Sequence, residues 1–254
     1  MIKTFELTRN YGPKAAVVDL NFTVNPGEIV GFLGPNGAGK TTTVRMLTGM
    51  ILPTRGTATV AGFDIIEQPV EVKKRIGYVP ESGALFETLS GWEYLQFIAD
   101  LHHMDRAVSE KRAEEFLDLF GILPEKDQRL QEYSKGMKQK VLISAALIQN
   151  PEVIFLDEPL NGLDANAALV FKEVVKKLSA EGTTILFCSH ILDVVEKICP
   201  RIIIINEGKI ISEGSPESIA AMTGEKNLEE AFCRLTGVRD ARESAQDFLQ
   251  ALGH

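Results

Sequence analysis

The chain has little that would let it act in or across a membrane by itself. Its longest apolar stretch, VLISAALI at Val141–Ile148, is far short of the roughly 20 residues that a bilayer-spanning helix needs. MIKTFELTRN carries no apolar h-region of the kind a secretory signal has, so any membrane role is expected to need another chain. Cysteine is scarce. Cys188, Cys199 and Cys233 are odd in number, widely spaced and form no CxxC pair, which excludes a disulfide framework and a zinc ribbon and reads as reduced thiols in a cytosolic compartment. Positive charge is also in deficit: 27 Lys and Arg stand against 35 Asp and Glu, a net charge of -8 that opposes a general nucleic-acid surface. Internal repeats, low-complexity linkers and a second glycine loop are all missing.

What is present is the alternation of an α/β core. VVDLNFTV places Val18, Leu20, Phe22 and Val24 against Asp19, Asn21 and Thr23, the period of one half-buried strand, and stops at the turn signal NPGE. IVGFLG is uniformly apolar, as a central strand covered on both faces would be. GTATVAGFDI predicts a short antiparallel strand and RIGYVPE another strand end. Residues from about 88 to 150 turn helical, and Ser90 with Glu93 has capping-box spacing ahead of Tyr94, Leu95, Ile98 and Leu101. VIFLDE and TILFCSH return to buried strands, so the helical block is inserted within the core. Leu228, Phe232 and Leu235 predict an amphipathic helix in the tail.

The sharpest motif is Gly34-Pro35-Asn36-Gly37-Ala38-Gly39-Lys40-Thr41-Thr42, a GxxxxGK[ST] run between a buried strand and a helical pattern. Glycines let successive backbone N–H groups turn inward around phosphates; Lys40 neutralises the β and γ oxygens, and the Thr41 hydroxyl is suited to Mg²⁺. Thr42 adds a phosphate contact. VIFLDEP supplies the complement, because ligands gather at the carboxyl ends of parallel strands. There Asp157 is placed to hold Mg²⁺, and Glu158 to act as general base on the attacking water. His190, beyond TILFCSH, is a third strand-end polar residue able to sense a γ-phosphate.

YSKGMKQKV poses a separate question. Ser134 can cap the helix that VLISAALI continues, and a capped helix start offers backbone N–H groups to an anion. In order, GPNGAGKTT, GYVPE, YSKGM, VIFLDEP, NGLD and the SH before Ile191 resemble the full motif series of an ABC-transporter nucleotide-binding domain, over roughly residues 2 to 220. The resemblance implies an α/β fold with a P-loop NTPase (RecA-like) core, an antiparallel β subdomain and an inserted helical subdomain. It divides the chain into an ATPase domain over 1–222, with core 1–87 and 151–222 and helical subdomain 88–150, and a helical tail over 223–254. It also implies ATP and Mg²⁺ as cofactors, Ser134 and Gly136 closing on ATP held by a second ATPase subunit, Asp164 linking the two sites, and Tyr11 stacking on adenine. The implied partners are a membrane-spanning permease on another chain and that second subunit, at the cytoplasmic face of the membrane and without nucleic acid.

Three positions depart from the family pattern. Lys135 replaces a glycine, Met137 a glutamine, and Glu81 the glutamine that approaches Mg²⁺ and the attacking water. A carboxylate at 81 can ligate metal but cannot donate a hydrogen bond. The tail KNLEEAFCRLTG is similar to the exporter-serving branch, which favours export. A soluble ABC ATPase acting on ribosome or DNA stays open as the alternative, although this chain has one P-loop and no heptad tract. His102, His103 and Met104 lack further ligands at sensible spacing and read as a solvated helix end, Trp92 and Tyr94 as core anchors, and EKRAEE as a solvated helix face.

Overall fold

A computed structural model describes residues 1–81 and 85–238. The strands in chain order are β1 Ile2–Tyr11, β2 Lys14–Leu20, β3 Thr23–Val24, β4 Ile29–Leu33, β5 Arg55–Val60, β6 Phe63–Asp64, β7 Ile76–Val79, β8 Val153–Asp157, β9 Thr184–Cys188, β10 Arg201–Asn206 and β11 Lys209–Gly214. The helices are α1 Lys40–Leu47, α2 Pro69–Lys73, α3 Gly91–Leu101, α4 Arg106–Leu119, α5 Lys135–Leu147, α6 Ala165–Ala180, α7 Leu192–Ile198, α8 Pro216–Thr223 and α9 Leu228–Thr236.

Two sheets result. The larger has the order β11-β10-β4-β9-β8-β7, with β10 to β7 parallel and only the β10–β11 hairpin antiparallel. Its β4, β8 and β9 are buried at every residue, which is why their sequences are continuous apolar runs. The smaller sheet is antiparallel, in the order β2-β1-β5-β6, with β3 pairing the start of β1 on the same edge as β2.

The core forms in three places. Val30 and Phe32 of β4 face one way, joining Val44 and Leu47 of α1, Phe155, and Ile2, Leu7 and Phe22 from the smaller sheet. Ile29 and Leu33 face the other way, against Phe171 and Val175 of α6, Val195 and Ile198 of α7, and Leu228 and Ala231 of α9. A third cluster belongs to the helices after β7: Leu95, Leu117, Leu130, Val141 and the half-exposed Trp92 pack there, with Tyr94 buried as its aromatic pattern suggests. Ser90 caps α3 in a complete capping box with Glu93, as the spacing predicts.

Two expectations need correction. VVDLNFTV is not one strand: it splits into β2 and β3 because Phe22 turns to Thr4, whose hydroxyl accepts from the Phe22 N–H at 2.8 Å and whose own N–H donates to the Phe22 carbonyl at 3.0 Å. GTATVAGFDI is not one strand either but the hairpin β5–β6, turned at Ala61-Gly62, where both residues have positive φ. The tail helix is α9, and the rest of the expected tail, from residue 239, lies outside the described residues. Arg201 joins the two sheets: its guanidinium donates to both carboxylate oxygens of Glu28, at 2.6 and 2.9 Å, and to the Thr23 carbonyl at 2.6 Å. No helix among the described residues is long and apolar enough to cross a membrane.

Candidate nucleotide site

The site grows from the order of the larger sheet. β4, β9 and β8 are neighbours and parallel, so the segments leaving their carboxyl ends meet at one edge: Gly34–Thr42 after β4, Glu158 after β8, and Ser189-His190 after β9. Tyr11 at the end of β1, Lys14 and Ala16 of β2, and Glu81 beyond β7 join the loop after β4, Asp157, Glu158 and His190 in lining a cleft of about 650 Å³.

The loop after β4 requires glycine. Gly39 has φ 109 and forms the N-cap of α1, and a β-carbon there would stand 2.5 Å from the Ala16 carbonyl oxygen. A β-carbon on Gly34 would strike the Ile205 carbonyl of the neighbouring β10. Lys40, 9% exposed, is bent over the loop, its ammonium donating to the Gly34 carbonyl at 2.6 Å and the Pro35 carbonyl at 3.1 Å. The Thr41 hydroxyl donates to Asp157 Oδ2 at 3.0 Å, a contact across 116 residues. Ala38 is buried behind the loop and does not reach the cleft.

Asp157 is buried, and desolvation raises its pKa above the ordinary carboxylate value; Glu81 and Glu158 push in the same direction, while the Thr41 hydroxyl and Lys40 oppose. Three carboxylates against two lysines, Lys14 and Lys40, leave excess negative charge on hard oxygen donors, to which a divalent cation is chemically suited. Among the described residues no three Asp, Glu, His or Cys side chains converge into a protein-only cage, and Mg²⁺ typically uses one or two protein oxygens completed by phosphates and water. Because the folded-state pKa is raised, ionised Asp157 opposes folding, and stability recovers as pH falls through that raised value. Asp157→Asn is therefore expected to raise the melting temperature of the nucleotide-free protein at neutral pH, by about 2–4 °C per kcal/mol relieved at this size, while flattening its dependence on acid. Thermal unfolding at pH 5 and 7 checks this; an unchanged or lowered melting temperature contradicts it.

Glu158 is held on every side. It is 5% exposed and has φ 51, a left-handed conformation uncommon for a residue with a β-carbon. Its N–H donates to the Cys188 carbonyl at 2.9 Å, extending the β8–β9 ladder by one step. Its carboxylate meets His190 Nδ1 at 2.8 Å through Oε1 and the Ser189 hydroxyl at 3.1 Å through Oε2.

Ser134, Gly136 and Asp164 lie outside this cleft. Ser134 caps α5, accepting from the Met137 N–H at 3.2 Å. Gly136 sits so close to the loop after β8 that a β-carbon would be 2.5 Å from the Gly162 carbonyl oxygen. Asp164 caps α6 through the Ala167 N–H at 2.8 Å, and its other oxygen pairs with Lys140 of α5 at 3.0 Å. The Gln139 amide donates to the Pro159 carbonyl at 2.9 Å, so α5 is fastened twice to the segment that follows Glu158.

Sequence reasoning missed two features. Ser189 is 4% exposed and touches Glu158, and Phe232 of α9 lines the cleft, with Val238 just beyond the helix. α9 reaches there because Leu228 and Ala231 bury one face and the Asn206 amide donates to the Thr236 carbonyl at 3.4 Å. The amphipathic pattern located the helix but not what its ring would face.

A P-loop on a central parallel strand, with carboxylates at the next strand ends, defines a nucleoside-triphosphate-binding protein of the P-loop class. Comparison with known proteins is more specific. Residues 17–161 match the family profile described as ABC transporter. The chain is 39% identical over 238 residues to the ABC transporter ATP-binding protein NatA of Bacillus subtilis (strain 168), covering 91% of this chain and 96% of NatA. It is 36% identical to the daunorubicin resistance ATP-binding protein DrrA3 of Streptomyces coeruleorubidus, over 85% of this chain and 68% of that one. Among solved structures, an ATP-binding subunit of an ABC transporter superposes with a TM-score of 0.87 at 30% identity, over 92% of this chain and 99% of that chain. The dimeric bacterial ABC transporter cassette MJ0796 superposes with a TM-score of 0.79 at 25% identity, over 85% and 98%. The chain belongs to the ABC transporter family, as an ATP-binding subunit with ATPase activity.

Proposed function

We propose that this chain energises export through a separate membrane-spanning partner, working as one of two ATPase subunits that close head to tail on ATP at the cytoplasmic face of the membrane. The observation that carries the reading is the convergence of Lys40, Asp157, Glu158 and His190 in one cleft while the Ser134 helix start stands outside it. A site whose anion-binding helix start faces elsewhere is completed by a second copy's.

In this reading ATP lies with its base against Tyr11 and its phosphates over Gly34–Thr42, Lys40 leaving the loop carbonyls for the β and γ oxygens. Thr41 and Asp157 would hold Mg²⁺, with Glu81 beside them, and the ion would supply neutralisation of charge on the phosphate oxygens. Glu158 takes a proton from water as the water oxygen bonds to the γ-phosphorus; the bond to the bridging oxygen breaks, and the electron pair leaves with ADP. His190, with 61% of its side chain exposed, is free to contact the γ-phosphate, and the partner's Ser134 and Gly136 add backbone N–H groups. Asp164, tied to Lys140, joins the two sites across the pair. The relatives named for drug resistance support the exporter assignment, as does the tail.

Extraction of the chain from native membranes in mild detergent, with mass spectrometry of what co-purifies, tests this. A stoichiometric multi-span protein is expected; ribosomal or DNA-associated partners with undiminished ATPase activity would move the soluble-ATPase reading ahead.

A further inference from the structure

We propose that Ser189 is a positioning residue for hydrolysis, fixing the Glu158 carboxylate that activates water. This rests on the assignment of Glu158 as the base. Ser189 Oγ accepts the Ile191 N–H at 3.1 Å and stands 3.1 Å from Glu158 Oε2. Because that N–H occupies the hydroxyl oxygen as an acceptor, the hydroxyl's single proton is directed at the carboxylate.

The two partners of the carboxylate differ in permanence. His190 has 61% of its side chain exposed and must be free to turn toward phosphate, so its contact with Oε1 is exchangeable. Ser189 is 4% exposed and anchored by the backbone that starts α7, so its contact with Oε2 persists whatever His190 does. A permanent holder is needed, because Glu158 sits on a left-handed backbone at φ 51 beyond the last β8–β9 pair: its N–H to the Cys188 carbonyl at 2.9 Å and its carbonyl's bond from the Asn161 N–H at 3.2 Å fix the backbone, and the carboxylate is left to its own side-chain contacts. With Oε2 pinned, Oε1 is the oxygen left to face water when His190 moves.

Ser189→Ala is expected to lower kcat for ATP hydrolysis about ten- to a hundredfold, the worth of one hydrogen bond to a charged group, with KM and ATP affinity unchanged. Ser189→Thr, which keeps the hydroxyl, should recover most of the rate. In a Glu158→Gln background, Ser189→Ala should cause no further loss in single-turnover hydrolysis, since its effect passes through the carboxylate. Wild-type kcat in Ser189→Ala overturns the proposal, and so does an equal loss in the Glu158→Gln background, which would mark a merely structural serine. Wild-type turnover in Glu158→Gln alone would instead overturn the base assignment, so the two failures are distinguishable.

Discussion

Glu158→Gln is expected to leave ATP binding intact, lower the rate of phosphate release by about 10²–10⁴-fold, and accumulate an ATP-bound pair of chains. The substitution is isosteric. With its amide oxygen in the Oε2 position, the glutamine still accepts from the Ser189 hydroxyl at 3.1 Å, while its NH2 takes the Oε1 position and is met at 2.8 Å by a His190 Nδ1 that must then accept, as the tautomer carrying its proton on Nε2 does. In the proposed mechanism what disappears is the ability to take a proton from water, and with it the hydrolytic step that would reopen the pair. Steady-state phosphate release and size-exclusion chromatography with and without ATP read the two effects separately. Hydrolysis at the wild-type rate would reject Glu158 as the base, and a slow variant that stays monomeric with ATP would reject closure of the pair on ATP.

Lys40→Ala should abolish useful nucleotide binding, raising Kd for ATP by about 10–100-fold or more, the cost of losing a charged donor to phosphate. The ammonium lies within 2.6 and 3.1 Å of the two carbonyls that open the loop, poised over the backbone N–H groups that receive the phosphates. Its removal also takes away the positive charge that opposes Asp157, so the cleft is less able to hold a polyanion. Titration with a fluorescent ATP analogue measures the loss, and a melting curve on the same sample shows that the fold persists. Undiminished affinity would contradict the phosphate role of Lys40.

Much of this was legible in the sequence because it is local. The loop Gly34–Thr42 is recognisable from the spacing of adjacent residues, and the Ser90–Glu93 and Ser134 caps bond N–H groups only three positions away. Asp157 and Glu158 were legible from the buried run before them. The structure adds contacts that spacing cannot express. Ser189 meets Glu158 across 31 residues only because β8 and β9 are parallel neighbours, and Phe232 reaches the cleft only because α9 packs against α7 and α8 and is tied to the end of β10 through Asn206. The split of VVDLNFTV was invisible for the same reason, since its cause is Thr4 on another strand. The β10–β11 hairpin also went unread, its RIIIIN run being as apolar as any central strand but carrying no motif.

The neighbour relation β4-β9-β8 has a consequence for synthesis. A chain emerging from the ribosome exposes Gly34–Thr42 early, yet the groove those residues help to form is closed by Asp157 and by Glu158, Ser189 and His190, more than a hundred residues later. In between come α3 to α5, which have their own core and can fold while the central sheet still waits for its strands. Parallel pairing over such separations is slow, because each pair closes a long loop before it is rewarded. Until synthesis reaches β8 and β9 the P-loop is therefore a glycine-rich segment without its acidic complement, and the cleft is complete only once β9 lies between β4 and β8.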